Sequence, residues 1–194
     1  MAHGIQSKNS LGDLSMASVH KGAASETQMK AGGVYRVECF GPDGKLKWQE
    51  EFAPNLVVNQ GLQDMNAKYF SGAAYTAAWY IGLINNTPTP VYAAGDTLAS
   101  HAGWAEFTGY SGNRKAVVFG TATTADPSVI DNSGSPAQFA ISATGTIAGA
   151  FLASSATGTS GVLFSEANFS APGSRVVANG DTLNVTYTFS LDAV

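Results

Sequence analysis

The sequence predicts a mainly β fold, an Ig-like or jelly-roll-type β-sandwich, with one short helix and an extended N-terminal arm. Three observations carry this expectation. Short apolar runs, several with a two-residue period, recur along the chain, and clusters of Gly, Pro, Asn and Asp separate them, as strands joined by turns require. Seven or more such runs suit two packed antiparallel sheets. The composition supplies a core but little charge: of 194 residues, 44% are hydrophobic and 12% charged, and 22 are glycine. That charged share is about half the roughly 25% of an ordinary globular domain, so hydroxyl side chains must hold much of the surface water.

Residues 1–32 read as the arm, and residues 33–194 as a single β-sandwich domain. The arm is rich in Ser, Ala, Gly and Lys and contains no Phe, Trp or Tyr. Between Ile5 and Met29, its only sizeable apolar side chains are Leu11, Leu14, Met16 and Val19, which makes these four the candidate assembly-interface residues. Their spacing suits a turn and a half of helix, but Gly12, Ser15 and the short length oppose a helix stable in isolation. Ordering such an arm costs about 1–2 kcal/mol per backbone residue. Burying each of the four contributes roughly 1.5–3 kcal/mol. Backbone pairing with a neighbouring sheet edge would have to supply the rest.

From Gly33 the pattern is β. Val34–Phe40 reads as a strand, Gly41-Pro42-Asp43-Gly44 as a turn, and Lys45–Phe52 as the returning strand, with four charged residues and one face toward solvent. Pro54 ends this hairpin. Asn59 is placed to N-cap a helix over 59–70, whose Leu62, Met65, Tyr69 and Phe70 would form a face against the core. Ala77–Leu83 is an apolar run suited to a central strand. Further strands are expected at 114–119, 138–143, 146–152 (with Gly149 marking a bulge) and 161–166. The last strand, 182–190, has the cleanest alternation, with Leu183, Val185, Tyr187 and Phe189 on one face. Gly95-Asp96-Thr97-Leu98 recurs as Gly180-Asp181-Thr182-Leu183. Both read as turns entering a strand, with Gly supplying positive φ.

Charge and chemistry narrow the function. The net charge is −4, and residues 69–194, with three Lys/Arg and seven Asp/Glu, supply all of it. Nothing resembles the basic footprint that nucleic acid requires. Met1–Lys8 lacks the apolar stretch of a signal peptide, and no eighteen-residue apolar run predicts a membrane span. Cys39 is the single cysteine, so no intrachain disulfide is available, and it reads as a buried free thiol. His101 has only Glu106 as a nearby carboxylate in sequence, too little for a metal or general-base site. Asp96, Glu106 and Asp181 are the carboxylates to substitute if the protein were a glycan hydrolase. Phosphate loops, dinucleotide fingerprints and nucleophile elbows are all missing. The residues therefore assign no catalytic, cofactor-binding or metal-binding position. Trp48, Trp79 and Trp104, with Tyr75, Tyr80, Tyr92 and Tyr110, could form a sugar-stacking platform, although core and interface packing suits most of them better.

Three segments carry a family likeness: Asn55–Leu62, Tyr75–Leu83 and Tyr92–Trp104. With the later Ala148–Leu152 and Gly180–Val185, this pattern over roughly residues 34–190 resembles a group of structural proteins of tailed bacteriophages. The resemblance implies a virion protein assembled in the host cytoplasm, without cofactor. It implies a head decoration or cement protein, with the major capsid protein and copies of itself as partners, as a trimer or dimer. A tail, tail-fibre or head–tail joining component is the alternative within that group, and a carbohydrate or host-receptor binding module is the alternative outside it.

Overall fold

A computed structural model of the chain describes residues 29–75, 78–170 and 173–193. The arm residues Leu11, Leu14, Met16 and Val19 lie outside the described residues. In chain order the elements are β1 (Met29–Phe40), β2 (Leu46–Pro54), β3 (Leu56–Val57), α1 (Asn59–Phe70), β4 (Tyr80–Asn85), β5 (Glu106–Phe107), β6 (Lys115–Ala116), β7 (Ser128–Asp131), β8 (Ala137–Ala140), β9 (Gly145–Ala153), β10 (Leu163–Asn168), β11 (Arg175–Val177) and β12 (Thr182–Ala193).

Two antiparallel sheets form a β-sandwich. The first has the order β2-β1-β12-β7, with β8 also on β12; the second has the order β3-β10-β9-β4-β5, with β11 on β9 and β6 on β4. The hairpin expected around Gly41–Gly44 is present: the Gly41 N–H reaches the Lys45 carbonyl at 2.9 Å, and Gly44 takes φ +74°. β1 starts at Met29, five residues before the expected Val34, and pairs with β12 from Met29↔Ala193 to Phe40↔Thr182. The ladder thus takes in the last residues of the segment read as arm.

Tyr35, Val37 and Cys39 from β1 face inward with Leu183, Val185 and Tyr187 from β12, and all six are fully buried. They pack against Ile81, Leu83, Ala150 and Leu152 of the second sheet. Two tyrosines sit at the centre with ring centroids 4.6 Å apart. Their hydroxyls are satisfied: Tyr35 Oη lies 2.8 Å from Ser165 Oγ, and the Asn55 amide donates to Tyr187 Oη at 2.9 Å. Buried hydroxyls are tolerated only when bonded in this way.

The second sheet is covered on both faces. On its outer face Ile84, Phe151 and Leu163 form a separate core with Val58 and with Leu98 and Trp104 from the segment between β4 and β5, which roofs it. That is why β4 and β9 are apolar along most of their length, whereas β12, with one face wetter, alternates. Gly149 marks an irregularity as expected: the β4–β9 register shifts between Ile84↔Gly149 and Asn85↔Ile147. A side chain at Gly149 would also run into the Ala167 carbonyl.

Several expectations are corrected. The strand expected over 114–119 is reduced to Lys115–Ala116, and the short edge strands β3, β5, β7 and β11 carry no period long enough to read. Glu50, one of the four charges of the returning strand, is buried and pairs with Arg175 at 2.6 Å. The helix spans 59–70 as predicted, but its cap is Val58, with no side-chain cap bond, and Asn59 is exposed. Gln60 does the anchoring instead: its Oε1 accepts the Leu163 N–H at 2.7 Å and the Leu98 N–H at 3.4 Å. The helix also turns the other way. Gly61 is its buried residue, lying so close to the Phe164 backbone that a Cβ would meet the carbonyl oxygen. Asp64, Met65 and Lys68 share that face, the two charges paired at 3.0 Å. Of the expected apolar face only Met65 packs on the core, while Leu62, Tyr69 and Phe70 are exposed.

Candidate functional site

The polar residues fall into separate structural clusters. Asp181 Oδ2 takes the Lys47 ammonium at 2.6 Å and the Ala178 N–H at 2.8 Å, with Cys39 Sγ at 3.7 Å. Burial pushes the Cys39 thiol up to about 12, and the Asp181 carboxylate adds to the shift, so the cysteine is an inert core group. Glu106 lies with Arg114 rather than with His101: Arg114 Nε and Nη2 donate to its two oxygens at 3.0 and 2.8 Å. The same guanidinium donates to the Ser155 and Gly158 carbonyls at 3.0 and 2.9 Å. This bidentate clamp ties two loops together.

The third cluster centres on Glu166. This β10 residue is fully buried, and its Oε2 accepts the Trp104 indole N–H at 2.7 Å. Its Oε1 has no hydrogen-bond partner. Burial, reinforced by the Asp96 carboxylate, pushes its pKa up to about 8. Burial thus favours the protonated form of Glu166 over the carboxylate. His101 stacks on Trp104 with centroids 4.0 Å apart and planes 14° off parallel, and its Nδ1 lies 3.3 Å from the Trp104 carbonyl oxygen. Together these groups pin the 86–105 segment onto the second sheet. Sequence reading did not single out Glu166. The one local signal was a carboxylate shortly after the apolar Val162-Leu163-Phe164.

The repeated Gly-Asp-Thr-Leu has a physical basis. In both copies the Asp carboxylate accepts the N–H three residues back, from Ala93 at 3.3 Å and Ala178 at 2.8 Å, and the following Leu98 or Leu183 is fully buried. The expectation of positive φ holds at Gly180, with φ +90°, and not at Gly95. Among the described residues no group of three or more His, Cys, Asp or Glu could hold a metal ion. No helix among them is long and apolar enough to cross a membrane.

The aromatic residues do not assemble into one platform, because Trp104 and Tyr110 are buried in different clusters. The exposed ones converge elsewhere. The inner face of the first sheet extends beyond the second sheet, so Met29, Ile130, Phe189 and Leu191 face the last turns of α1 across an apolar groove of about 730 Å3. Trp79, Phe119 and Phe164 also line it. Tyr69 is 84% exposed and Phe70 75%, with Tyr75 and Met29 also open at the rim. Tyr69 and Phe70 meet edge to face at 4.8 Å, and the Lys68 ammonium lies 5.6 Å from the Tyr75 and Trp79 ring centres. An apolar rim of this kind marks an interaction surface.

Comparison with protein-family models, with curated proteins and with solved structures finds no match to the chain.

Proposed function

We propose that the protein is a structural virion protein of a tailed phage: a head decoration protein that binds the outer capsid lattice and stiffens it against internal pressure. The observation that carries this reading is the exposed apolar groove around α1 on an otherwise closely packed body. The polar clusters serve to hold loops on that body, and the reading assigns the protein no chemistry. Its mechanism is buried area added across subunit boundaries. The resemblance of the sequence to structural proteins of tailed phages points the same way, as does a surface poor in charge that can be repeated many times. The partners are the major capsid protein and further copies of this chain.

The test is co-sedimentation of the full-length protein with expanded heads that lack it, beside isolated tails. Saturable binding to heads at lattice stoichiometry is expected. Binding to tails, or at a few copies per particle, would instead assign a tail or joining role. The exposed Tyr69 and Tyr75 rings favour a second reading, a host-glycan binder, which a glycan array with no head binding would establish.

A further inference from the structure

We propose that the outer face of the first sheet holds a binding site for a neutral glycan, at the end of the molecule away from α1. Tyr35, Val37, Cys39, Leu183 and Val185 are buried on the inner face, so the two-residue period turns Glu38, Phe40, Thr182 and Asn184 to the other face. Register then sets them in rows. Phe40 lies beside Thr182. Gln49, Glu38, Asn184 and Gln138 form the next row, across β2, β1, β12 and β8, with neighbouring Cβ atoms about 4.5–5.5 Å apart. The Gln138 Nε2 donates to Asn184 Oδ1 at 3.2 Å. That bond orients both amides and leaves the Asn184 Nδ2 donors and the Gln138 Oε1 acceptor without a partner among the described residues. Phe40, Thr182, Asn184 and Gln138 line a hollow of about 380 Å3, walled by the Gly41-Pro42 turn and Gly180. Gly180 takes φ +90°, and a Cβ there would stand 3.2 Å from Pro42 Cγ, narrowing the hollow between the two turns.

The chemistry selects the ligand. An aromatic ring, a hydroxyl and two oriented amides offer an apolar contact beside donors and acceptors, which is what the C–H face and the hydroxyls of a sugar ring require. The volume lies within the range of small-ligand clefts. Charge selects a neutral sugar. Arg36, Lys45 and Lys47 are each paired with a carboxylate, Glu38, Asp43 and Asp181, so a phosphate or an acidic sugar finds no unspent cation here. A protein partner fits less well, because interface centres are built from Trp, Tyr, Met and Arg rather than from amides and hydroxyls. The site is also separate from the groove. Met29 and Phe40 are the two ends of the twelve-residue β1, about 35 Å apart, so a partner seated in the groove leaves the hollow open. The inference stands without the decoration reading, and it places a glycan away from Tyr69 and Tyr75.

The test probes an array of neutral, sialylated and sulfated oligosaccharides with the full-length protein. Retention on neutral glycans is expected. Gln138→Ala with Asn184→Ala should weaken it about tenfold or more. Phe40→Leu keeps an apolar side chain, removes the ring and should weaken it as well. Thermal unfolding establishes which variants are folded, and Tyr69→Ser with Phe70→Ser should leave retention unchanged. No retention of neutral glycans, or retention of the charged ones alone, would overturn the proposal. So would wild-type retention by a folded amide or Phe40 variant. Retention lost with Tyr69 and Phe70 and kept in the amide variant would overturn it in favour of a glycan site at the groove. Head co-sedimentation of the amide variant should equal that of the wild type, so failure of this site and failure of the decoration reading are read separately.

Discussion

At Glu166 a carboxylic acid occupies a strand whose two faces are both covered. Its raised pKa makes a prediction about stability. The unfolded chain releases this proton near pH 4.3, whereas the folded protein keeps it to about pH 8. Between those values the native state binds more protons than the unfolded state, so this group's contribution to stability falls as pH rises. The loss between pH 5 and 8 should be about 2–4 kcal/mol. Glu166→Gln keeps an acceptor for Trp104 and removes the ionisation. Urea unfolding at pH 5, 6.5 and 8 should show a flatter pH dependence for the variant and a more stable variant at pH 8. Parallel curves would mean that Glu166 ionises without cost.

At the scale of elements, β7 and β8 act as two halves of one interrupted edge strand. Both run antiparallel to β12, at Thr188↔Asp131 to Leu191↔Ser128 and at Thr182↔Ala140 to Val185↔Ala137. Asn132 fills the gap: its Oδ1 accepts the Tyr187 N–H at 2.7 Å, and its Nδ2 donates to the Val185 carbonyl at 3.2 Å. The side chain replaces one rung of the ladder in a place without water. Asn132→Ala should cost about 2–3 kcal/mol by leaving both backbone groups unpaired. Asn132→Asp should recover only part of that, because it keeps the acceptor and lacks the donor. Chemical denaturation of the two variants checks the order. Asp131-Asn132-Ser133-Gly134 is legible in sequence as a turn, and the Ser133 N–H does bond Asp131 Oδ1 at 2.7 Å. The rung is not legible, because its partners lie more than fifty residues away.

For the whole molecule, the groove and its rim decide how the body meets a partner. Tyr69 and Phe70 lie outside both buried cores. The double substitution Tyr69→Ser with Phe70→Ser should therefore lower the unfolding temperature by no more than about 2–4 °C. On the decoration reading it should strongly reduce co-sedimentation with heads. Thermal unfolding and head binding measured on one preparation separate the two effects. A large fall in unfolding temperature would place these rings in the core, and unchanged binding would move the lattice contact to another face.

The mainly β class, the first hairpin, the long strands, the span of the helix and the buried cysteine were legible from local pattern. Each is set by neighbours in sequence: a two-residue period, a turn of Gly and Pro, an apolar run. The orientation of α1 was not. Its apolar residues pointed the reading toward the core, whereas the close approach of Gly61 to the Phe164 backbone turns Asp64, Met65 and Lys68 inward and leaves Tyr69 and Phe70 outside. Depth of burial was equally hidden for Glu50 and Glu166, since their surroundings come from distant strands and loops. The groove belongs to the same class. It exists because one sheet outreaches the other, a property of how the sheets are stacked that no single segment encodes.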